Sequence, residues 1–147
     1  IGYNFIIITN QYLINDGIIS LNDYQQFTGK FLKKLKEENI DILKIYFCPH
    51  NEKDHCHCKK PKPGMIEQAK KDFLIDMNSS IYIGDSQVDY LLAQHFNLTF
   101  YGINYKTFDD TAQEDYQESS HPCFLLYFCF AMQEFQNASV FPPPKML

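Results

Sequence analysis

Cys48, His50, Cys56 and Cys58 stand in a C-x-H-x5-C-x-C array. Three soft thiolates and an imidazole suit one tetrahedral zinc ion with every position filled by protein, which is the pattern of a structural rather than a catalytic site. Such a site would fold a short loop that has little core of its own, because metal-binding free energy becomes local folding free energy. Two competing readings are buried apolar cysteines and disulfides. Asn51, Glu52, Lys53 and Asp54 lie between the ligands and are too polar for a core segment. His55 and His57 are near enough in sequence to compete with His50.

The array runs directly into Lys59-Lys60-Pro61-Lys62-Pro63-Gly64-Met65, a stiff basic loop that opens a helix. Cations beside a helix N-terminus suit phosphate, although a pair of lysines is more often surface charge. Two further stretches could do chemistry. Thr9-Asn10-Gln11 ends an apolar run and offers a hydroxyl and two amides to an anion; the plain alternative is a polar turn. Gly84-Asp85-Ser86-Gln87-Val88-Asp89 places two carboxylates after a glycine, which suits a hard cation such as magnesium. An aspartate capping a helix would give the same pattern.

These residues need strands that end where they begin. Phe5-Ile6-Ile7-Ile8 is a continuous β-branched run, which predicts a strand buried on both faces of a parallel sheet. Ile42 to Phe47 predicts the strand delivering Cys48, Ser80 to Ile83 the strand delivering Gly84-Asp85, and Thr99 to Ile103 a fourth. Between the first two, Ser20 with Asp23 three residues on is a helix-start signal. Leu21, Tyr24, Phe27, Phe31, Leu32 and Leu35 follow at near-helical spacing, with lysines and glutamates on the other face. Met65 to Phe73 and Tyr90 to Phe96 predict two more helices. Strand and helix alternate, which predicts an α/β fold with helices on both faces of a parallel sheet, its ligands at the carboxyl ends of the strands.

At 147 residues the chain suits a single domain. A formal net charge of −5 gives no basic footprint for nucleic acid, so a DNA-binding zinc module would lack its electrostatic half. No apolar run approaches a bilayer span. Five cysteines, an odd number, fit a reducing, cytoplasmic setting.

The composition changes near Glu118, which divides the chain into 1–118 and an atypical tail over 119–147. His121 to Phe130 is dense in aromatics, and Phe141-Pro142-Pro143-Pro144 cannot continue a helix. A packed terminal helix is the default expectation for the tail; a membrane-adherent patch and residues foreign to the domain are the alternatives. Residue 1 is isoleucine and opens almost at once on an apolar run, which predicts that an upstream piece belongs to the protein.

The ordered set Thr9-Asn10-Gln11, Cys48-Pro49-His50, Cys56-His57-Cys58-Lys59-Lys60-Pro61-Lys62-Pro63-Gly64-Met65 and Gly84-Asp85 resembles the haloacid dehalogenase-like phosphatases. Within them it is similar to the subfamily IIIA branch of heptose bisphosphate and histidinol phosphatases, from the first residues to about Thr111. The resemblance implies a Rossmann-like domain with a zinc-binding loop, and a small-molecule sugar phosphate as substrate. Thr9 is then the phosphate-binding hydroxyl, with Asn10, Gln11, Lys59 and Lys60 also in the substrate site. Lys60 offsets phosphate charge and Asp85 binds Mg2+, with Asp89 in support. Cys48, His50, Cys56 and Cys58 hold Zn2+. Lys59 stands where the branch usually has arginine, an exchange that keeps charge but loses a planar fork. Pro63-Gly64-Met65 tilts the substrate towards D-glycero-D-manno-heptose 1,7-bisphosphate, with histidinol phosphate as the alternative.

The chemistry implied is phosphomonoester hydrolysis through an aspartyl-phosphate, using two acids of a D-x-D segment that ends a first strand. No D-x-D occurs among the 147 residues, and Asp16-Gly17 follows the Thr9 motif and cannot replace it. The expectation is therefore a domain without its first strand, marginal in stability, holding a phosphate and metal half-site with little or no turnover. A non-catalytic, zinc-stabilised pseudo-phosphatase is the competing class.

Overall fold

The computed structural model describes residues 4–103 and 124–127. Among them the elements are β1 (Asn4–Asn10), α1 (Leu21–Glu37), β2 (Ile42–Cys48), α2 (Gly64–Asp72), β3 (Ile81–Gly84), α3 (Gln87–His95), β4 (Thr99–Gly102) and β5 (Phe124–Tyr127). All five strands are parallel, in the order β2-β1-β5-β3-β4.

The chain steps outward from β1 to β2, crosses to β3, and steps outward again to β4. With right-handed crossovers, the reversal puts α1 on one face and α2 and α3 on the other. The packing agrees. Ile6, Ile8, Tyr46, Cys48 and Tyr82 form one buried cluster with Met65, Ile66 and Ala69 of α2 and Leu92 and Ala93 of α3. Tyr24 of α1 lies against Phe47, whose side chain points the other way from those of Tyr46 and Cys48, with ring centroids 4.7 Å apart. Alternation along β1 and β2 therefore supplies both faces, and the continuous apolar run of β1 is what a central parallel strand requires.

Local signals in the chain set the boundaries. Ser20 caps α1 as expected: Asp23 N donates to Ser20 Oγ at 3.0 Å while Ser20 N donates to Asp23 Oδ2 at 3.3 Å. The α2 helix begins after Pro63, where the Gly64 N–H donates to His57 O at 3.1 Å. A Cβ at Gly64 would meet that carbonyl oxygen at 2.7 Å, so glycine lets the cysteine loop lie on the helix start.

Two expectations change. Four residues of the tail, Phe124–Tyr127, form a strand where a terminal helix was the default, and their apolar, aromatic composition suits a central parallel strand. That strand pairs with β1 on one side and β3 on the other, so the sheet is continuous where a strand was expected to be missing. The expectation for the Pro-rich end lies outside the described residues.

Candidate active site and cysteine loop

Thr9, Lys60 and Asp85 come from three distant stretches and meet at one edge of the sheet. The site lies at the carboxyl ends of β1 and β3, where the strand order reverses and a crevice is expected. Between those two strands, Tyr127 of β5 is in register with Ile7 and Ile83.

Each side chain is held by a neighbour. Gln11 Nε2 donates to Thr9 Oγ1 at 2.7 Å, and both residues are buried. Asn10 clamps the basic loop: Lys60 N donates to Asn10 Oδ1 at 2.9 Å, and Asn10 Nδ2 donates back to Lys60 O at 3.3 Å. The Asn10 amide thus fixes the backbone of Lys60 rather than facing outward.

The Lys60 side chain enters the interior. Its Nζ donates to Asp89 Oδ1 at 2.6 Å and to Ile8 O at 3.4 Å, and the two charged side chains are 2% and 0% exposed. Tyr82 OH donates to the same Asp89 oxygen at 3.1 Å, and Ser86 Oγ donates to the other. Asp89 is therefore occupied on both oxygens by protein donors, and its support of the site runs through Lys60. A Cβ on Gly84 would sit on the Asp89 Cβ. The spacing of Gly84, Asp85 and Asp89 has a steric cause: only glycine lets the first turn of α3 fold Asp89 back onto β3.

Asp85 is half-buried, and its carboxyl is pushed up from the ordinary range by burial and by the neighbouring Asp89 charge. A desolvated acid beside a like charge gains from a cation. One carboxylate is also enough protein for magnesium, which keeps waters and takes its remaining ligands from phosphate.

The cysteine loop forms the wall beside this edge. Ligand atoms of Cys48, His50, Cys56 and Cys58 all lie within 4.8 Å of one another. Cys48 Sγ is 3.5 Å from His50 Nδ1, 3.6 Å from Cys56 Sγ and 3.0 Å from Cys58 Sγ, and His50 Nδ1 is 3.2 Å from Cys58 Sγ. Tetrahedral zinc with bonds near 2.3 Å separates its sulfurs by about 3.8 Å, so a slight expansion admits the ion. Burial raises the Cys48 and Cys58 thiols. Burial acts the same way on Cys56, but the Lys59 N–H and the neighbouring thiols outweigh it and hold that thiol low. His55 takes a left-handed turn at φ 46°, and His57 pairs with Glu67 at 2.9 Å. Neither joins the cluster.

The short 3-10 turn Glu52–Asp54 carries the rest of the wall. Asn51 and Asp54 cap it reciprocally. Asn15 Nδ2 reaches Asp54 Oδ2 at 2.9 Å and Asn51 Nδ2 reaches Asp16 Oδ1 at 3.1 Å, which ties the loop to the β1–α1 connection. Lys59 Nζ lies 2.7 Å from Glu52 Oε1 and 5.5 Å from the centroid of the Tyr12 ring.

Sequence reasoning missed Tyr82 and Ser86 as partners of Asp89, and Tyr12 and Glu52 beside Lys59. Ser86, three residues before Asp89, carries the spacing of a helix-start pair and was readable in principle. The other three touch their partners only through tertiary contacts.

A doubly wound parallel sheet with lysine, threonine and aspartate at its switch point defines a phosphate-handling α/β class. A family model described as polynucleotide kinase 3 phosphatase matches residues 1–120, and the chain belongs to that family of haloacid dehalogenase-like phosphatases. It is 47% identical over 97 residues to the D-glycero-alpha-D-manno-heptose-1,7-bisphosphate 7-phosphatase of Photorhabdus laumondii, covering 60% of this chain and 52% of that protein. It is 41% identical over 92 residues to the D-glycero-beta-D-manno-heptose-1,7-bisphosphate 7-phosphatase of Helicobacter pylori, covering 62% and 53%. The chain thus spans about half the length of these curated relatives. The fold is similar to that of D,D-heptose 1.7-bisphosphate phosphatase from B. bronchiseptica, solved with magnesium and phosphate. That likeness has a TM-score of 0.64 at 21% identity, covering 92% of this chain and 75% of the other.

Proposed function

We propose that this chain is the phosphate- and metal-binding part of a sugar-phosphate phosphatase whose substrate is D-glycero-D-manno-heptose 1,7-bisphosphate. The observation that carries the proposal is the convergence of Thr9, Lys60 and Asp85 on one edge of the sheet, with Lys60 aimed by the buried Asp89. The names of the relatives and the magnesium and phosphate bound by the neighbouring structure support the same reading.

In this reading Thr9 Oγ1 donates to a phosphate oxygen while Gln11 holds it from behind. Lys60 presents positive charge to the phosphate without leaving Asp89, and its burial makes that charge count for more than at a surface. Asp85 would hold Mg2+, which supplies charge neutralisation at the phosphate when bound. Cys48, His50, Cys56 and Cys58 would hold Zn2+, which fixes the loop beside the substrate. Free thiols that bind metal suit the reducing cytoplasm. Residues 1–118 form the phosphatase unit and 119–147 an appendage that lends it β5.

Hydrolysis through an aspartyl-phosphate needs a nucleophile and a proton donor, and no D-x-D pair is present in the 147 residues. This chain then binds phosphate without turning it over, and hydrolysis belongs to a protein with the acid pair. A non-catalytic phosphate-binding role is the second reading, favoured by that same absence. A net charge of −5 disfavours a polynucleotide ligand. The test is phosphate release from the heptose bisphosphate and from histidinol phosphate, with binding followed in parallel. Magnesium-dependent binding of the bisphosphate without release is expected. Sustained release by this chain would overturn the half-site, and a preference for histidinol phosphate would overturn the substrate.

A further inference from the structure

Asp89 is met by more donors than its charge partner alone. Lys60 Nζ takes Oδ1 at 2.6 Å, Tyr82 OH shares that oxygen at 3.1 Å, and Ser86 Oγ takes Oδ2. Asp89 and Tyr82 are wholly buried. Packing and capping do not account for the two hydroxyls. The Tyr82 ring stacks on that of Phe100 at 6.3 Å, a contact that phenylalanine would make equally well, and a buried phenol costs desolvation unless its O–H is bonded. Ser86 stands at the N-cap of α3, where a serine ordinarily accepts from helix N–H groups; it makes no such bond and gives its Oγ to Asp89.

Both O–H groups are thus directed at one carboxylate, and their effect reaches past it. An anion approaching Lys60 also feels the Asp89 charge behind the ammonium. Hydroxyls that set their positive hydrogens against that carboxylate reduce the negative field it projects beyond the pair. Asp85 is in range of both charges: burial and then the Asp89 carboxylate push its carboxyl up, while the Lys60 ammonium draws it down.

We propose that Tyr82 and Ser86 are positioning residues that act through Asp89: their hydroxyls damp its charge, so that Lys60 attracts phosphate more strongly, and Asp85 holds magnesium less tightly, than a bare ion pair would allow. The inference rests on the phosphate reading of Thr9, Lys60 and Asp85. Removing one of these hydrogen bonds should move the two ligands in opposite directions. A hydroxyl that merely propped the fold would, on removal, weaken both.

The probes are magnesium alone, and inorganic phosphate at saturating magnesium, titrated calorimetrically into the full chain and into Tyr82→Phe, Ser86→Ala and Ser86→Thr. In Tyr82→Phe the phosphate affinity should fall about threefold to tenfold, the range of one net hydrogen bond. Magnesium affinity should rise about twofold in the same variant, as more of the Asp89 charge reaches Asp85. Ser86→Ala, which leaves the sheet interior intact, should move both ligands the same way as Tyr82→Phe. Ser86→Thr keeps the hydroxyl and should stay within about twofold of the wild type. If the wild-type chain binds both ligands and the variants lose both affinities together, the hydroxyls are props and the proposal is overturned. Unchanged affinities, or a threonine variant that behaves as the alanine one, would overturn it equally. If the wild-type chain binds no phosphate, the phosphate reading itself fails, and the role of the hydroxyls with it.

Discussion

Lys60 and Asp89 are the charges whose surroundings decide what this site can be. The almost wholly buried Lys60 ammonium is met by a carboxylate at 2.6 Å, and that carboxylate is in turn met by Tyr82 and Ser86. Removing one member leaves the other's desolvation uncompensated. Asp89→Asn keeps the shape and removes the charge, and should cost about 3–5 kcal/mol in urea denaturation. A loss below about 1 kcal/mol would mean that Lys60 finds its compensation elsewhere. The same substitution should weaken phosphate binding, because Lys60 would no longer be aimed.

At the scale of elements, β2 and α2 are pinned by Asp72. Lys44 Nζ donates to it at 2.5 Å, Tyr46 OH at 2.8 Å and Gln68 Nε2 at 2.9 Å. These bonds, that of Lys44 foremost, hold the Asp72 carboxyl down to about 2 from 3.8. A depressed folded-state value means that the contribution to stability is present above 3.8 and is lost as pH falls towards about 2. Asp72→Asn should therefore flatten the acid side of the stability profile across that window and leave the slope above pH 5 unchanged; an unaltered acid limb would show the clasp to be idle. Most elements were legible in the sequence because each has a local cause: the β-branched run of β1, the Ser20–Asp23 cap, the glycines at 64 and 84. The cysteine–histidine cluster was legible for the same reason, since its four side chains sit in one loop. The aim of Lys60 was not, because Asp89 lies 29 residues away and reaches it only after β3 and α3 have formed. Nor was β5, whose placement depends on β1 and β3 both needing a partner.

For the whole molecule, the cysteine loop is coupled to the connection that follows β1. Asn15 with Asp54, and Asn51 with Asp16, bind the two segments to each other. The sheet core packs against the cluster through Cys48, Cys56 and Cys58, and metal loss should loosen this margin without melting the strands. Chelation should lower hydrogen-exchange protection over residues 48–58 and 11–19 together and spare β1 and β3. Global unfolding on chelation would contradict that division, as would a loop that stays protected. The same bonds hold the cysteine loop beside the connection that follows Thr9.

Inorganic phosphate binding with and without magnesium, compared between the wild-type chain, Lys60→Met and Asp85→Asn, probes Thr9, Lys60 and Asp85 together. Phosphate should bind the magnesium-loaded wild-type chain, lose at least tenfold in affinity in either variant, about 1.4 kcal/mol, and bind poorly without the metal. Binding that is indifferent to magnesium and to both substitutions would place the anion elsewhere on the molecule and overturn the phosphate site.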